Sequence, residues 1–286
     1  MNYMRSYGSG DSFRVEIDPT TNIKDFHQAS LGVAEELYLK HKKIYVMYSG
    51  GVDSEYILNV FLSLGIDVTP VIINLKPHYN EHDTKYAFDF CESKKLKPLV
   101  IDLDFDDFVQ SGKIISIAEN SQCGAYQLPS TFYAASQLDG AVVMGSHGPP
   151  YLTKHNGEWF VNEYEQLHSV LKHFKFDGLE GCPFFLVHTP EQYYSFLNHP
   201  LMLDVASNKY KGRLGSTFIK GEIYNDFSGF GMEKRPKFTG FENIEKSSIS
   251  QHENIKWFLN IGKQWCGHYS QKYSDVANIN TPHNRR

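Results

Sequence analysis

Apolar positions change their period as this chain proceeds. KIYVMY (43–48) is an almost unbroken apolar run, β-branched and aromatic, the pattern of a strand buried on both faces. DVTPVIINL (67–75), PLVIDLD (98–104) and AVVMGS (141–146) read as strands too. Between these runs the spacing lengthens to that of a helix. Ser54 to Leu64 stops at Gly65, a suitable C-cap, and 81–96 carries Ala87, Phe90, Cys91 and Lys94 down one side. Residues 128–140 place Pro129 near a first turn. Upstream, Thr21 to His41 sets Phe26, Ala29 or Ser30, Val33 and Leu37 on one stripe. FRVEI (13–17) reads as a short strand and residues 1–12 as loose chain. Strands alternating with helices predict βαβ units, hence an α/β fold doubly wound about a mostly parallel sheet.

After Pro150 the rhythm changes. No run of buried strands is visible in 151–286, and LHSVLKHF (167–174), PEQYYSFLNH (190–199) and 247–265 look helical, the last with Ser250 and Glu253 at capping-box spacing. The expected organisation is an N-terminal segment with a helix (1–42), an α/β domain (43–150) and a mainly helical C-terminal substrate or lid region (151–286).

Composition narrows the function class. The 286 residues are 41% hydrophobic and 21% charged, with a formal net charge of −5, which argues against general coating of nucleic acid. No segment holds 18 consecutive apolar residues and the N-terminus is polar, so no membrane association and a cytoplasmic location are expected. Cys91, Cys123, Cys182 and Cys266 lie far apart with no CxxC, which fits reduced thiols and excludes a zinc site built from paired cysteines. His78 and His82 are four apart, but Pro77 and Asn80 place them in a loop or first turn, and they read as surface histidines.

One stretch carries chemistry. Where KIYVMY ends, Ser49-Gly50-Gly51-Val52-Asp53-Ser54 follows and opens a helix. Glycines permit positive φ and close approach of backbone to an anion. Successive N–H groups at a helix N-terminus form an anion nest. Ser49 and Ser54 offer hydroxyls to phosphate oxygens, and Asp53 offers an oxygen to Mg²⁺, which makes Asp53 and Ser54 the candidate catalytic pair. The spacing is neither G-x-x-x-x-G-K-[ST] nor G-x-G-x-x-G.

The hexapeptide resembles the PP-loop, S-G-G-x-D-S, of the N-type ATP pyrophosphatases (adenine nucleotide alpha-hydrolase-like), and all six positions match over a likeness spanning roughly 43–150. The resemblance implies a five-stranded, mostly parallel sheet, ATP and Mg²⁺ as cofactors, and cleavage of ATP between the α- and β-phosphates. An acceptor oxygen would be adenylated, and ammonia, an amine or a sulfur donor would then displace AMP. It also implies that Ile73 and Asn74, at the end of the second strand, and Gly145 and His147, after the fourth, serve the nucleoside. GSHGPP lacks the acidic residues many relatives carry there, so no metal ligand is expected from that loop.

Two late basic segments, KYKGRLGSTFIKG (209–221) and GMEKRPKFTGFE (231–242), are candidates to close over ATP phosphates or an acidic substrate, with Lys211, Arg213, Lys234 and Arg235 as their cations. Arg235-Pro236-Lys237-Phe238 resembles the late Arg-x-Pro-Phe of asparagine-synthetase-like members, which favours that branch. No glutaminase domain is visible, so ammonia or sulfur would come free or from a separate protein. The alternatives are a thiolation or reductase-like enzyme using Cys123, with tRNA as the nucleic acid in question, and an ATP-binding module without catalysis. A homo-oligomer is expected.

Overall fold

The structure, a computed structural model, describes residues 2–6, 12–16, 25–145, 148–163, 167–211, 216–233, 240–265 and 269–274. The chain opens on an antiparallel hairpin, β1 (Asn2–Ser6) with β2 (Ser12–Glu16), where loose chain was expected as far as residue 12. Helix α1 (Phe26–Lys40) starts at an Asp25 N-cap whose carboxylate accepts the Gln28 N–H at 2.7 Å. Then follow β3 (Ile44–Met47), α2 (Val52–Ser63), β4 (Thr69–Lys76), α3 (Glu81–Ser93), β5 (Leu99–Asp104), α4 (Phe105–Gln110), α5 (Lys113–Ser121), α6 (Leu128–Ala135) and β6 (Ala141–Val143).

Beyond residue 150 come β7 (Tyr151–His155), β8 (Glu158–Glu163), α7 (Leu167–Asp177), β9 (Gly181–Cys182), α8 (Pro190–Leu197) and α9 (Pro200–Ala206). The chain continues through α10 (Ser216–Ser228), α11 (Phe241–Lys246), α12 (Glu253–Asn260) and β10 (Tyr269–Lys272). The central sheet has five parallel strands in the order β5-β4-β3-β6-β9, and β10-β8-β7 form a small antiparallel sheet. The fifth parallel strand is the two-residue β9, too short to show any period in the sequence.

Alternation along the strands decides what packs where. Ile44, Val46, Ile72, Ala141 and Val143 face a core filled by Phe26, Tyr56, Phe61, Phe90, Phe196 and Tyr224 of α1, α2, α3, α8 and α10. Tyr45, Met47, Val71, Leu75, Val142 and Met144 face the other core, with Phe105, Phe108, Ile114, Phe132, Phe174 and Phe258 from α4 to α7 and α12. Both faces are covered, as a parallel sheet requires, and the architecture is α/β and doubly wound with a helical C-terminal region. The single helix expected over 247–265 is broken. Ser248–Gln251 and Gly262–Trp265 are 3₁₀ turns, and His252 is extended (φ −63°, ψ 142°) and caps α12 in place of Ser250. The Ser250 hydroxyl instead bonds back to the Ser247 carbonyl at 2.7 Å.

Candidate functional site

β3 is the middle strand. From it the chain steps to β4 and β5 on one side, then returns to lay down β6 and β9 on the other. The connections leaving β3 and β6 therefore diverge, and their carboxyl ends are the topological switch point at which open parallel sheets take ligands. The connection leaving β3 is the Ser49–Ser54 loop.

Tyr48 still follows the sheet, its N–H on the Val71 carbonyl at 2.8 Å. At Gly50 the backbone turns left-handed (φ 81°), and a Cβ there would lie 2.2 Å from the Asp83 carbonyl oxygen of α3. Position 50 thus needs glycine for its conformation and for its contact. Gly51 is the N-cap of α2, and its carbonyl accepts the Glu55 N–H at 3.0 Å and the Ser54 hydroxyl at 3.0 Å. The Ser49 hydroxyl accepts the Gly51 N–H at 3.3 Å, and the Ser49 N–H reaches the Ser54 oxygen at 3.4 Å. Two serines and a backbone carbonyl thereby fix the loop at the positive end of the α2 dipole.

Asp53 stands in the first turn of α2, where a carboxylate favours the helix but would oppose an anion at the loop. The fold answers with two groups from α10. Lys220 ion-pairs with Asp53 Oδ2, and the Tyr224 hydroxyl donates to Oδ1 at 2.6 Å. Lys220 and Tyr224 are i, i+4 neighbours, so one face of α10 delivers both. The pair is largely enclosed, with side-chain exposures of 14% for Lys220 and 25% for Asp53. Tyr224 is fully buried and stacked on Tyr56, ring centroids 4.5 Å apart, and burial first, then the Asp53 charge, pushes its phenol well above its ordinary range. The Tyr56 hydroxyl in turn meets His27 Nδ1 at 3.1 Å.

The connection leaving β6 closes on the same pair. A Cβ on Gly148 would stand 2.9 Å from Lys220 Nζ and 3.1 Å from Asp53 Oδ2, and one on Gly145 would stand 3.8 Å from the Asp53 Cβ. Backbone at both positions lies against Asp53.

At the end of β4 the Ile73 carbonyl accepts from Asn80 Nδ2 at 2.8 Å, and Asn80 Oδ1 accepts the Leu75 N–H at 2.8 Å. Asn74 turns to β5, donating to Asp102 at 2.7 Å, and Lys76 pairs with the same carboxylate at 3.2 Å. The Asn74 amide and then Lys76 hold the Asp102 carboxyl below its usual range. Asn243 of α11 donates to the Tyr79 carbonyl at 2.8 Å, so the C-terminal region also seats on the turn after β4.

The structure thus brings Gly145 to the hexapeptide, sets Ile73 and Asn74 at the end of the neighbouring strand, and leaves Lys211 exposed. His147, Arg213, Lys234 and Arg235 lie outside the described residues, as do Cys266 and the Arg-x-Pro-Phe-like stretch. Cys123 and Cys182 are fully buried, in different cores. Cys123 donates to the Ala125 carbonyl at 3.2 Å, and burial pushes the Cys182 thiol up to about 12. His78 and His82 are exposed, and among the described residues no group of three or more His, Cys, Asp or Glu is placed to hold a metal.

Sequence reasoning missed Lys220 and Tyr224. The signal was faint but present: Lys220 lies inside the basic stretch 209–221, four residues before an aromatic.

No protein-family model matches the chain, and no curated protein matches it. Among solved structures the chain is similar to NMN synthetase from Francisella tularensis, at 15% identity over 84% of this chain and 96% of that one, with a TM-score of 0.37. That likeness is too low to transfer an activity or to support the asparagine-synthetase-like branch.

Proposed function

We propose that this chain is an ATP-dependent adenylating enzyme that cleaves ATP to AMP and pyrophosphate at the Ser49–Ser54 loop. The observation that carries the reading is one of position. A complete S-G-G-x-D-S hexapeptide sits at the switch point of a doubly wound parallel sheet, with a lysine ammonium delivered to it from α10.

Each part has a physical use. The loop, fixed by Ser49, Ser54 and the Gly51 carbonyl, holds phosphate oxygens at the positive end of α2. Lys220 offsets negative charge growing on the departing pyrophosphate. The acceptor oxygen attacks the α-phosphorus, and the bond to the β-phosphate bridging oxygen breaks with its electron pair leaving on pyrophosphate. A nucleophile then adds to the activated carbonyl carbon and AMP departs. No protein nucleophile is needed, which agrees with the burial of Cys123 and Cys182.

Mg²⁺ in phosphate sites takes one or two carboxylates and completes its shell with phosphate and water oxygens. Asp53, with no cluster of three ligands among the described residues, fits that donor set. When bound, the ion would neutralise charge on the phosphates. The acceptor is a carbonyl or carboxylate oxygen, and ammonia, an amine or a sulfur donor is the second substrate.

The test is a product assay with α-³²P-labelled ATP and Mg²⁺, run with small-molecule and tRNA fractions of a cell extract and with Asp53→Ala as control. Labelled AMP or an AMP adduct that disappears in the variant is the expected outcome. Labelled ADP as the sole product would overturn the reading.

A further inference from the structure

Both carboxylate oxygens of Asp53 are taken by side chains of α10. Lys220 holds Oδ2 and Tyr224 holds Oδ1. The backbone at Gly148 lies flush against the same ammonium and the same oxygen. The one acidic group of the loop suited to a divalent ion therefore already carries a cation.

We propose that Lys220 is a metal gate: its ammonium occupies the cation position on Asp53 until nucleotide phosphates give it another partner, and only then does a divalent ion reach the carboxylate. The inference rests on the ATP reading above and adds an order of loading to it. A divalent ion on Oδ2 would sit in contact with the ammonium, and in a site this enclosed their repulsion is weakly screened. Arriving phosphates reverse the balance, because they bring several negative charges and charge-assisted acceptors for the ammonium. Lysine suits the exchange. Its compact charge on a four-carbon stem can be re-aimed, whereas the planar fork of arginine is held by its geometry.

Tyr224 plays a different part. Its ring is locked against Tyr56 and Phe26, so its hydroxyl keeps Asp53 Oδ1 in place whichever cation holds Oδ2. It is a positioning residue.

The experiment uses Mn²⁺ as the probe, followed by the electron paramagnetic resonance signal of the free ion, on the full chain without nucleotide. Lys220→Met is expected to raise nucleotide-free Mn²⁺ affinity by about tenfold or more over wild type. Lys220→Arg is expected to keep the exclusion, and adding Asp53→Asn to Lys220→Met to abolish the gain. Lys220→Gln, which retains a hydrogen bond to Asp53 without the charge, gives the same test if the Met variant does not fold. Wild type binding Mn²⁺ as tightly as the uncharged variants would overturn the gate.

α,β-Methylene-ATP supplies the second arm. It is expected to bind wild type by calorimetry and to raise Mn²⁺ uptake by about tenfold or more. If the analogue fails to bind, the ATP reading falls, while the nucleotide-free comparison still decides what Lys220 does on Asp53.

Discussion

Gly50→Ala is the sharpest perturbation of the loop. Position 50 is left-handed (φ 81°), which costs a residue with a Cβ about 1–2 kcal/mol. The added Cβ would also start 2.2 Å from the Asp83 carbonyl and 3.2 Å from the Ala87 N–H nitrogen, both backbone atoms of α3. Neither can swing aside as a side chain would, so helix and loop must separate, an overpacking cost of about 1–3 kcal/mol. Together these predict a loss of roughly 2–5 kcal/mol, read as a fall in Tm of roughly 3–8 °C for a chain of this size. Gly51→Ala is the internal control. Its backbone is ordinary (φ −79°) and its new Cβ would meet only the Ser49 hydroxyl, at 3.3 Å, so it should cost about 1 kcal/mol or less. Thermal melts with calorimetric binding of α,β-methylene-ATP make the assay. Gly50→Ala should lose both stability and binding, and Gly51→Ala should lose no more than about 1 kcal/mol of stability. Equal melting points for wild type and Gly50→Ala would refute the claim that α3 is packed flush against the loop.

Other expectations concern groups away from the glycines. Tyr224→Phe removes a hydrogen bond to a charged carboxylate in a stacked site and should cost about 1–2 kcal/mol in urea unfolding; an unchanged midpoint would remove the phenol from the account of Asp53. Asn80→Ala deletes two bonds that strap the turn after β4, and should cost about 1–3 kcal/mol by the same measurement. Cys123→Ala should leave AMP formation intact, because its thiol is buried and bonded to a backbone carbonyl; abolished turnover with ATP binding retained would revive sulfur chemistry. His173 and His199 are both buried, and burial holds each imidazole below its ordinary value against the opposing pull of Asp177 and Asp226. Their neutral forms favour the folded state, so that stability is complete above the unfolded-state value of about 6.5 and is lost as pH falls below it. Melts between about pH 7.5 and 5 should show a falling Tm, and a rising one would contradict the sign.

The halves of this site were unequally legible. KIYVMY announces a strand buried on both faces, and the glycine pair after it announces a turn with chemistry, because both signals are local. The partners of Asp53 are not local: Lys220 and Tyr224 come from 167 and 171 residues away, and tertiary packing alone brings them there. A lysine on a helix of ordinary composition carries no mark that it will face inward. β9 escaped notice for a related reason, since two residues cannot display a period of two. The region 247–265 misled in the opposite direction. Its apolar spacing continues across the extended His252, so the periodicity reads through a break that only backbone angles reveal.

The long reach from Asp53 to α10 also sets a schedule for the nascent chain. A ribosome adds about 5–20 residues per second, so some ten to thirty seconds separate synthesis of the loop from synthesis of the helix that neutralises it. During that interval the hexapeptide exists with its carboxylate unanswered, and the aromatic bed that receives Tyr224 lies open. The β3–β6 part of the sheet is available early, yet the site is finished only when α10 arrives. A truncation ending before Ser216 would retain the whole S-G-G-x-D-S loop and still lack the ammonium that pairs with its carboxylate.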